Sequence, residues 1–478
     1  MVMDELHVGG LSVGTTAVFI IGEMAGTGIV AMPGAMKNTG WYGAIILTVS
    51  ALAAGITGVQ LGYCWDLLQE MWPEYRRQTR KPYQEMGKRV GGKPLSIFVS
   101  GCIMFTLMGA GTAYMILAAQ EIETVLKYFD KEFYFCYIMI IYYGILLPLT
   151  MFGTPSDFWW TAYFAMGSSA TAAILVIAGC SLDHPFEAEH MTTAITPNTT
   201  TVTIATIAAN LTNASTHHPV THSNPSFRSF VLGYGTVAFA YGGHSAFPNM
   251  QHDMKVPRYF WKSVLVAYIA IFTLYSVVGL TGFSIYGDNL VDDFNSNITG
   301  LIATPWIRLA ISILIALHVL TSSLIVMNPI NQEVEQITGV PRGFGIWRII
   351  SRTLTVTFIL FLAESIPQFG VILSLIGSST ITLLTYVFPG VFFLLLKRQK
   401  LNRDNNERTN STNSTAPVIT DEHVSDAVPF KVSPPNVWEH IGNALVIGTG
   451  IVAAGCGTYA AIVTLIDNFK FQPPCYLS

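Results

Sequence analysis

The chain has 478 residues, 51% hydrophobic and only 11% charged, with a formal net charge of −4. A soluble domain carries about 25% charged residues, so this composition excludes an ordinary soluble protein and points to the bilayer. The small net charge gives no basic field for nucleic acid. The six cysteines lack a CxxC spacing and give no zinc motif.

A helix needs about 20 mainly apolar residues to cross the hydrocarbon core. Eleven stretches qualify: 13–36, 40–66, 95–120, 133–152, 158–181, 229–251, 262–286, 304–327, 346–364, 369–396 and 438–466. The first is too long for a cleavable signal peptide and is expected to act as a signal anchor. With residues 1–12 in the cytoplasm, the segments 67–94, 153–157, 252–261, 328–345 and 397–437 are cytoplasmic. Together with Lys262, Arg348 and Arg352 beside them, they hold 19 of the 25 Lys and Arg. This is a strong positive-inside bias, and it places the C-terminus outside.

The sequons agree with that orientation. Asn198, Asn210 and Asn213 in the extracellular or lumenal loop 182–228, and Asn297 in loop 287–303, are expected glycosylation sites. Asn410 and Asn413 fall on the cytoplasmic side and are expected to be unmodified. Segment 397–437 is polar and rich in Asn, Ser and Thr, which predicts a disordered linker. It joins a core of ten helices, 13–396, to an eleventh helix within 438–478. Cys64, Cys102 and Cys136 are expected to pack as small hydrophobes. Cys180 and Cys475 share the outer side, and a bond between them is left open.

Two distant stretches carry the same interruption. The first reads Ala25-Gly26-Thr27-Gly28-Ile29-Val30-Ala31-Met32-Pro33, and the sixth reads Ala240-Tyr241-Gly242-Gly243-His244-Ser245-Ala246-Phe247-Pro248. Glycine and proline both weaken a helix, so each stretch is expected to be broken. The amides after Gly28 would suit a carboxylate, and the carbonyls near Ala25 an ammonium or a small cation. The same logic holds around Tyr241, Gly242 and Gly243. An α-amino acid is the simplest ligand with both charges. Such paired interruptions in corresponding halves mark transporter sites. The first stretch runs outward and the sixth inward, so repeats 13–181 and 229–396 are expected to be inverted. The plain alternative is a pair of packing glycines with proline kinks. Gly26 to Ala31 also fits G-x-G-x-x-A, but the strand-turn-helix context of a dinucleotide site is missing.

Glu23 lies one turn before the first interruption, as a proton-coupling carboxylate, a cation ligand or a structural acceptor. His244 lies in the second, as a proton shuttle or a cap on exposed carbonyls. Thr321 and Ser322 follow His318, and their hydroxyls would serve as sodium ligands or bond back to their own helix. His217, His218 and His222 are expected to be solvated loop residues. No catalytic constellation appears, so neither an enzyme nor a cofactor or metal is expected.

Gly26 to Ala35, followed by Gly40-Trp41, resembles the first-helix signature of the amino acid/auxin permease family. Phe239 to His244, Pro248, Met254-Lys255 and Pro257 resemble its sixth-helix block, and Asn328-Pro329 and Glu333 its eighth. The resemblance covers roughly residues 10–466. It implies an all-α integral membrane protein of eleven transmembrane helices, a LeuT-like 5+5 inverted repeat plus one extra helix. It also implies secondary active transport of amino acids, by symport or antiport, with a proton or sodium as coupling ion. Substrate contacts would then fall to Ala25, Gly26, Thr27, Gly28, Phe239, Tyr241, Gly242 and His244. Ion-coupling candidates are Glu23, His244, Thr321 and Ser322. Glu23 departs from the family pattern, loop 287–303 lacks a cysteine found in proton-assisted relatives, and the fifth stretch lacks lysine. No Arg or Lys stands near the interruptions, so neutral amino acids are expected, with Glu23 leaving cationic ones open. The rival reading is an amino acid sensor signalling through its cytoplasmic segments. The membrane would be the plasma membrane or that of a vesicle or lysosome.

Overall fold

The computed structural model describes residues 10–76, 79, 81–151, 159–183, 220–290, 297–341, 343–413 and 433–467. Helix lies on every one of the predicted stretches. The elements are α1 (Val13–Thr39), α2 (Tyr42–Met71), α3 (Pro82–Tyr128), α4 (Phe135–Thr150), α5 (Trp159–Asp183), α6 (Phe227–Ala240) and α7 (Phe247–His252). Then come α8 (Phe260–Tyr286), α9 (Pro305–Ile337), α10 (Ile346–Ser365), α11 (Phe369–Ile376), α12 (Phe388–Asn413) and α13 (Val437–Asp467). Among the described residues there is no β-strand, and nine helical segments are long and apolar enough to cross a membrane. Phe135–Thr150 is a shorter apolar helix, and the sixth stretch is divided between α6 and α7.

Local chemistry sets the ends. Ser12 caps α1 by accepting from the Thr15 N–H at 3.1 Å, and α1 stops at Gly40, whose φ of 59° favours glycine. Ser226 caps α6 in the same way, from Ser229. α3 begins on Pro82 and bends at Gly91 and Gly92, the latter at φ 73°. Between α11 and α12 the chain widens into two π-helical turns, Gly377–Ile381 and Leu383–Val387.

Three expectations are corrected. The first stretch is not broken: α1 runs unbroken through Gly26, Gly28 and Pro33. A continuous helix satisfies its own backbone groups where no water can, and neighbouring side chains fill the space that the glycines leave. Residues 397–413 are helix, not linker. Lys400 pairs with Glu70 (3.0 Å) and Asp404 (2.9 Å), and Arg403 donates to the Met71 carbonyl at 2.7 Å, which ties this extension to α2. Residues 414–432 lie outside the described residues. Finally, Cys180 is a free, buried thiol, whereas Cys136 is disulfide-bonded. The bond left open for Cys180 is therefore not made, and Cys136 is no simple packing residue. Cys475 lies outside the described residues.

α1 forms the centre of the bundle, buried almost continuously from Met24 to Met36. Gly22 lets it approach the Ala162 carbonyl of α5. Both ends of the bundle are fastened. At one end Leu11 N donates to Asp253 O (2.8 Å), Lys255 N donates to Leu11 O (2.9 Å), and Ser263 Oγ donates to Val13 O (2.9 Å). At the other, His222 packs between Trp41 and Phe283, with ring centroids 5.5 and 4.9 Å away. Nearby, Asp288 accepts from the Ser223 N–H at 2.9 Å.

A fully buried Arg352 joins α10 to α9 and α4. Its Nε donates to Glu335 at 2.6 Å, and its Nη1 to the Thr150 carbonyl. Removing one partner of a buried pair strands the other charge. Arg352→Met should destabilise the protein by about 3 kcal/mol, with Arg348, 3.4 Å from Glu335, offsetting part of the loss. Thermal unfolding in detergent checks this, and Arg352→Met/Glu335→Leu should recover stability relative to the single variant.

Candidate functional site

The site lies where α1 passes the gap between α6 and α7. α6 ends at Ala240, and the chain turns through Tyr241–Ala246 before α7 starts. Ending a helix at this depth exposes carbonyls, and tyrosines of α8 receive them. Tyr268 Oη donates to Tyr241 O at 3.1 Å. Tyr275 Oη lies 2.5 Å from Met24 O on α1 and 3.2 Å from Ala240 O on α6. A phenol has one proton, so this hydroxyl is shared between two helices. Tyr114 of α3 adds a contact to Glu23 O at 3.3 Å.

The glycines follow from these approaches. A Cβ on Gly28 would collide with the Tyr275 hydroxyl, and one on Gly26 with the His318 ring. Gly242 meets Ile381 of the first π turn in the same way, and Gly243 stands against Met24. In α1 the glycines admit polar side chains rather than break the helix.

The turn leaves groups without partners. The N–H groups of Gly243, His244 and Ser245 find no acceptor among the described residues, whereas those of Tyr241, Gly242, Ala246 and Phe247 do. Glu23 Oε2, Tyr241 Oη and His244 Nδ1 are buried and make no hydrogen bond. The His244 Nε2 is 3.0 Å from Ala54 O and 3.2 Å from Thr57 Oγ1 on α2. Donation from Nε2 to the carbonyl leaves Nδ1 as an acceptor. The site thus offers three amides and a phenol to an anion, and a carboxyl oxygen and an imidazole nitrogen to a cation.

The structure brings Glu23, Gly28, Tyr241, Gly242 and the backbone of His244 to this crossing. Ala25, Thr27 and Phe239 are buried on the adjoining turns. Gly26 faces the other way, towards α9. There His318 is fully buried, with Nδ1 3.0 Å from Ala165 O and 2.7 Å from Ser169 Oγ, and Nε2 3.0 Å from Ser322 Oγ. Thr321 donates back to His318 O at 2.8 Å. The Thr321 and Ser322 hydroxyls therefore already have protein partners. Asn297 Nδ2, the atom a glycan would occupy, donates to Glu121 at 2.5 Å. Asn198, Asn210, Asn213, His217 and His218 lie outside the described residues, as do the side chains of Asn410 and Asn413. Sequence reasoning missed Tyr268 and Tyr275, whose seven-residue spacing puts two polar tips on one face of an apolar helix, and Tyr114 and Thr57.

A profile of the family described as "Transmembrane amino acid transporter protein" matches residues 9–418. The chain belongs to this family. Curated relatives from Arabidopsis thaliana include amino acid transporter AVT1C, 24% identical over 79% of this chain and 62% of the relative. Amino acid transporter AVT1B is 23% identical over 94% and 70%. Lysine histidine transporter-like 3 is 22% identical over 79% of each. The chain thus spans less than two thirds of the first relative's length. The family and these relatives are transporters, not enzymes.

Tyr275→Phe removes the shared donor and should lower stability by about 1–2 kcal/mol. Gly28→Ala should cost more, because the new methyl displaces the same hydroxyl and strains the packing of α1 on α8. Denaturation midpoints of both variants in detergent test the ranking.

Proposed function

We propose that this protein carries amino acids across a membrane and holds them where α1 passes the α6–α7 turn. One observation carries the reading. The amides of Gly243, His244 and Ser245 find no acceptor among the described residues, and Tyr241 Oη, Glu23 Oε2 and His244 Nδ1, on the same turn and the adjoining turn of α1, are buried without a hydrogen bond. Buried polar groups are kept without partners at a cost of about 1–3 kcal/mol each, unless a ligand completes them. A zwitterion does so: its carboxylate takes the amides and its ammonium the acceptors. Met24, Phe239 and Ile381 give the neighbourhood an apolar character, which favours a neutral side chain.

Glu23 is the proposed coupling group. With no protein cation beside it among the described residues, its carboxyl is satisfied by a proton or by the incoming ammonium, and exchange between them links flux to pH. The Thr321 and Ser322 hydroxyls, already bonded within the protein, favour a proton over sodium there. Alternating access follows if the fastening at Leu11–Met254 and the one at Trp41–His222–Phe283 open in turn. The charge bias of the loops supports a cytoplasmic N-terminus, in a plasma or organelle membrane. The disulfide-bonded Cys136, at the end of the bundle then facing outside, fits an oxidising compartment.

Radiolabelled neutral amino acids should enter proteoliposomes under an imposed proton gradient, with sodium having no effect on uptake. Glu23→Gln should abolish the pH dependence. Absence of flux for every amino acid under either gradient would reject the proposal.

A further inference from the structure

A groove opens on the flank of the bundle between α2 and α8, and it ends against α12 and the start of α13. Its volume is about 620 Å³, within the range of small-molecule sites. The buried Ala51 and Tyr268 form its floor together with Gly55, where a Cβ would stand 3.7 Å from the Tyr268 ring. Exposed Leu52, Ile56, Leu265 and Ile269 border it. Along α2 the lining runs from Thr48 to Tyr63, about 22 Å at the helical rise.

The two ends differ. Thr48 turns its hydroxyl back to the Ala44 carbonyl at 2.8 Å, which leaves that end apolar. The other end collects Gln60, Tyr63, Lys397 and Glu439. Of all the lining residues only Lys397 and Glu439 are charged, and they pair with each other at 2.7 Å. Gln60 keeps its Oε1 buried without a hydrogen bond.

α2, α8, α12 and α13 all lie in segments long and apolar enough to cross a membrane, so in a bilayer a lipid covers the groove. The self-paired rim has no spare cation for a phosphate, which disfavours a phospholipid headgroup. A lone hydroxyl fits, because the Gln60 amide can both give and take a hydrogen bond. The bare floor and the rings of Tyr268, Phe272 and Phe393 suit a flat, rigid ring system, which also loses less conformational entropy than acyl chains on binding. We propose that this groove binds a membrane sterol, its hydroxyl towards Gln60, and that the sterol steadies the α6–α7 turn.

Tyr268 is the link. Its side chain lines the groove, and its hydroxyl donates to the Tyr241 carbonyl at 3.1 Å. The same ring stacks on Tyr241 with centroids 6.1 Å apart and stands edge-on to His244 at 6.3 Å. A sterol seated on Tyr268 takes the space into which that ring would swing, and so keeps the donor on the turn. Neither sterol binding nor this link requires transport.

The test uses the full chain in phosphatidylcholine nanodiscs containing cholesterol with a photoreactive diazirine in its ring system. Label should map to 48–63 and 261–272, and cholesterol should displace it where phosphatidylserine and diacylglycerol do not. Leu52→Trp and Gly55→Phe should each cut this labelling about tenfold by filling the groove. Gln60→Leu should cut it about fivefold, the loss of one hydrogen bond. Cholesterol should also slow amide exchange over 241–246 in the wild type and have no such effect in Tyr268→Phe. Label spread evenly over the exposed faces of the helices would overturn the proposal, as would equal displacement by diacylglycerol. A disulfide-linked dimer formed through Leu52→Cys would overturn it too, since a second copy would then cover the groove. Labelling of the groove with unchanged exchange at 241–246 would overturn the link to the turn. If Gly55→Phe does not fold, Leu52→Trp, on the exposed border, decides.

Discussion

The Tyr275 hydroxyl, set between the carbonyls of Met24 and Ala240, is the contact around which the centre of this bundle is arranged. A helix that ends in hydrocarbon must find donors for its last carbonyls, because no water reaches them. Tyr275 and Tyr268 supply them from one face of α8. Gly28 follows from that solution, since a side chain there would occupy the position of the phenol. Glycine, tyrosine and interrupted helix form one constraint.

The constraint is lopsided. Carbonyls at the end of α6 are satisfied by protein, but the amides of Gly243, His244 and Ser245 are not. The turn is therefore complete for its acceptors and open for its donors, which polarises it towards an anionic group. Glu23 Oε2 and His244 Nδ1, buried without a hydrogen bond, have the opposite preference. On one side of the crossing α1 is a continuous helix, and on the other the sixth stretch turns irregularly between α6 and α7.

Much of this was legible in the residues. Apolar length placed a helix on each of the eleven stretches, and Tyr241-Gly242-Gly243 marked a real interruption. Gly26-Thr27-Gly28 did not, although its local pattern is nearly the same. Glycine permits a break and equally permits close approach, and only the neighbours decide which. His318 lies hundreds of residues from Gly26, and so does Tyr275 from Gly28, so no local pattern could show it. The π turns at Gly377–Ile381 were hidden for the same reason, since they answer to Gly235 on α6 rather than to a signal of their own. The helix at 397–413 was missed because composition weighed its polarity and not its pairing with Glu70 and Met71.

The central claim is that the α6–α7 turn and Glu23 together recognise a molecule carrying both charges. Calorimetric binding to the purified protein in nanodiscs tests it most directly, comparing a neutral amino acid with its decarboxylated amine and its deaminated acid. The account predicts saturable binding of the amino acid and losses of about a hundredfold or more for each analogue, since either one leaves buried groups unpaired. Equal affinity for the amino acid and either analogue would contradict it.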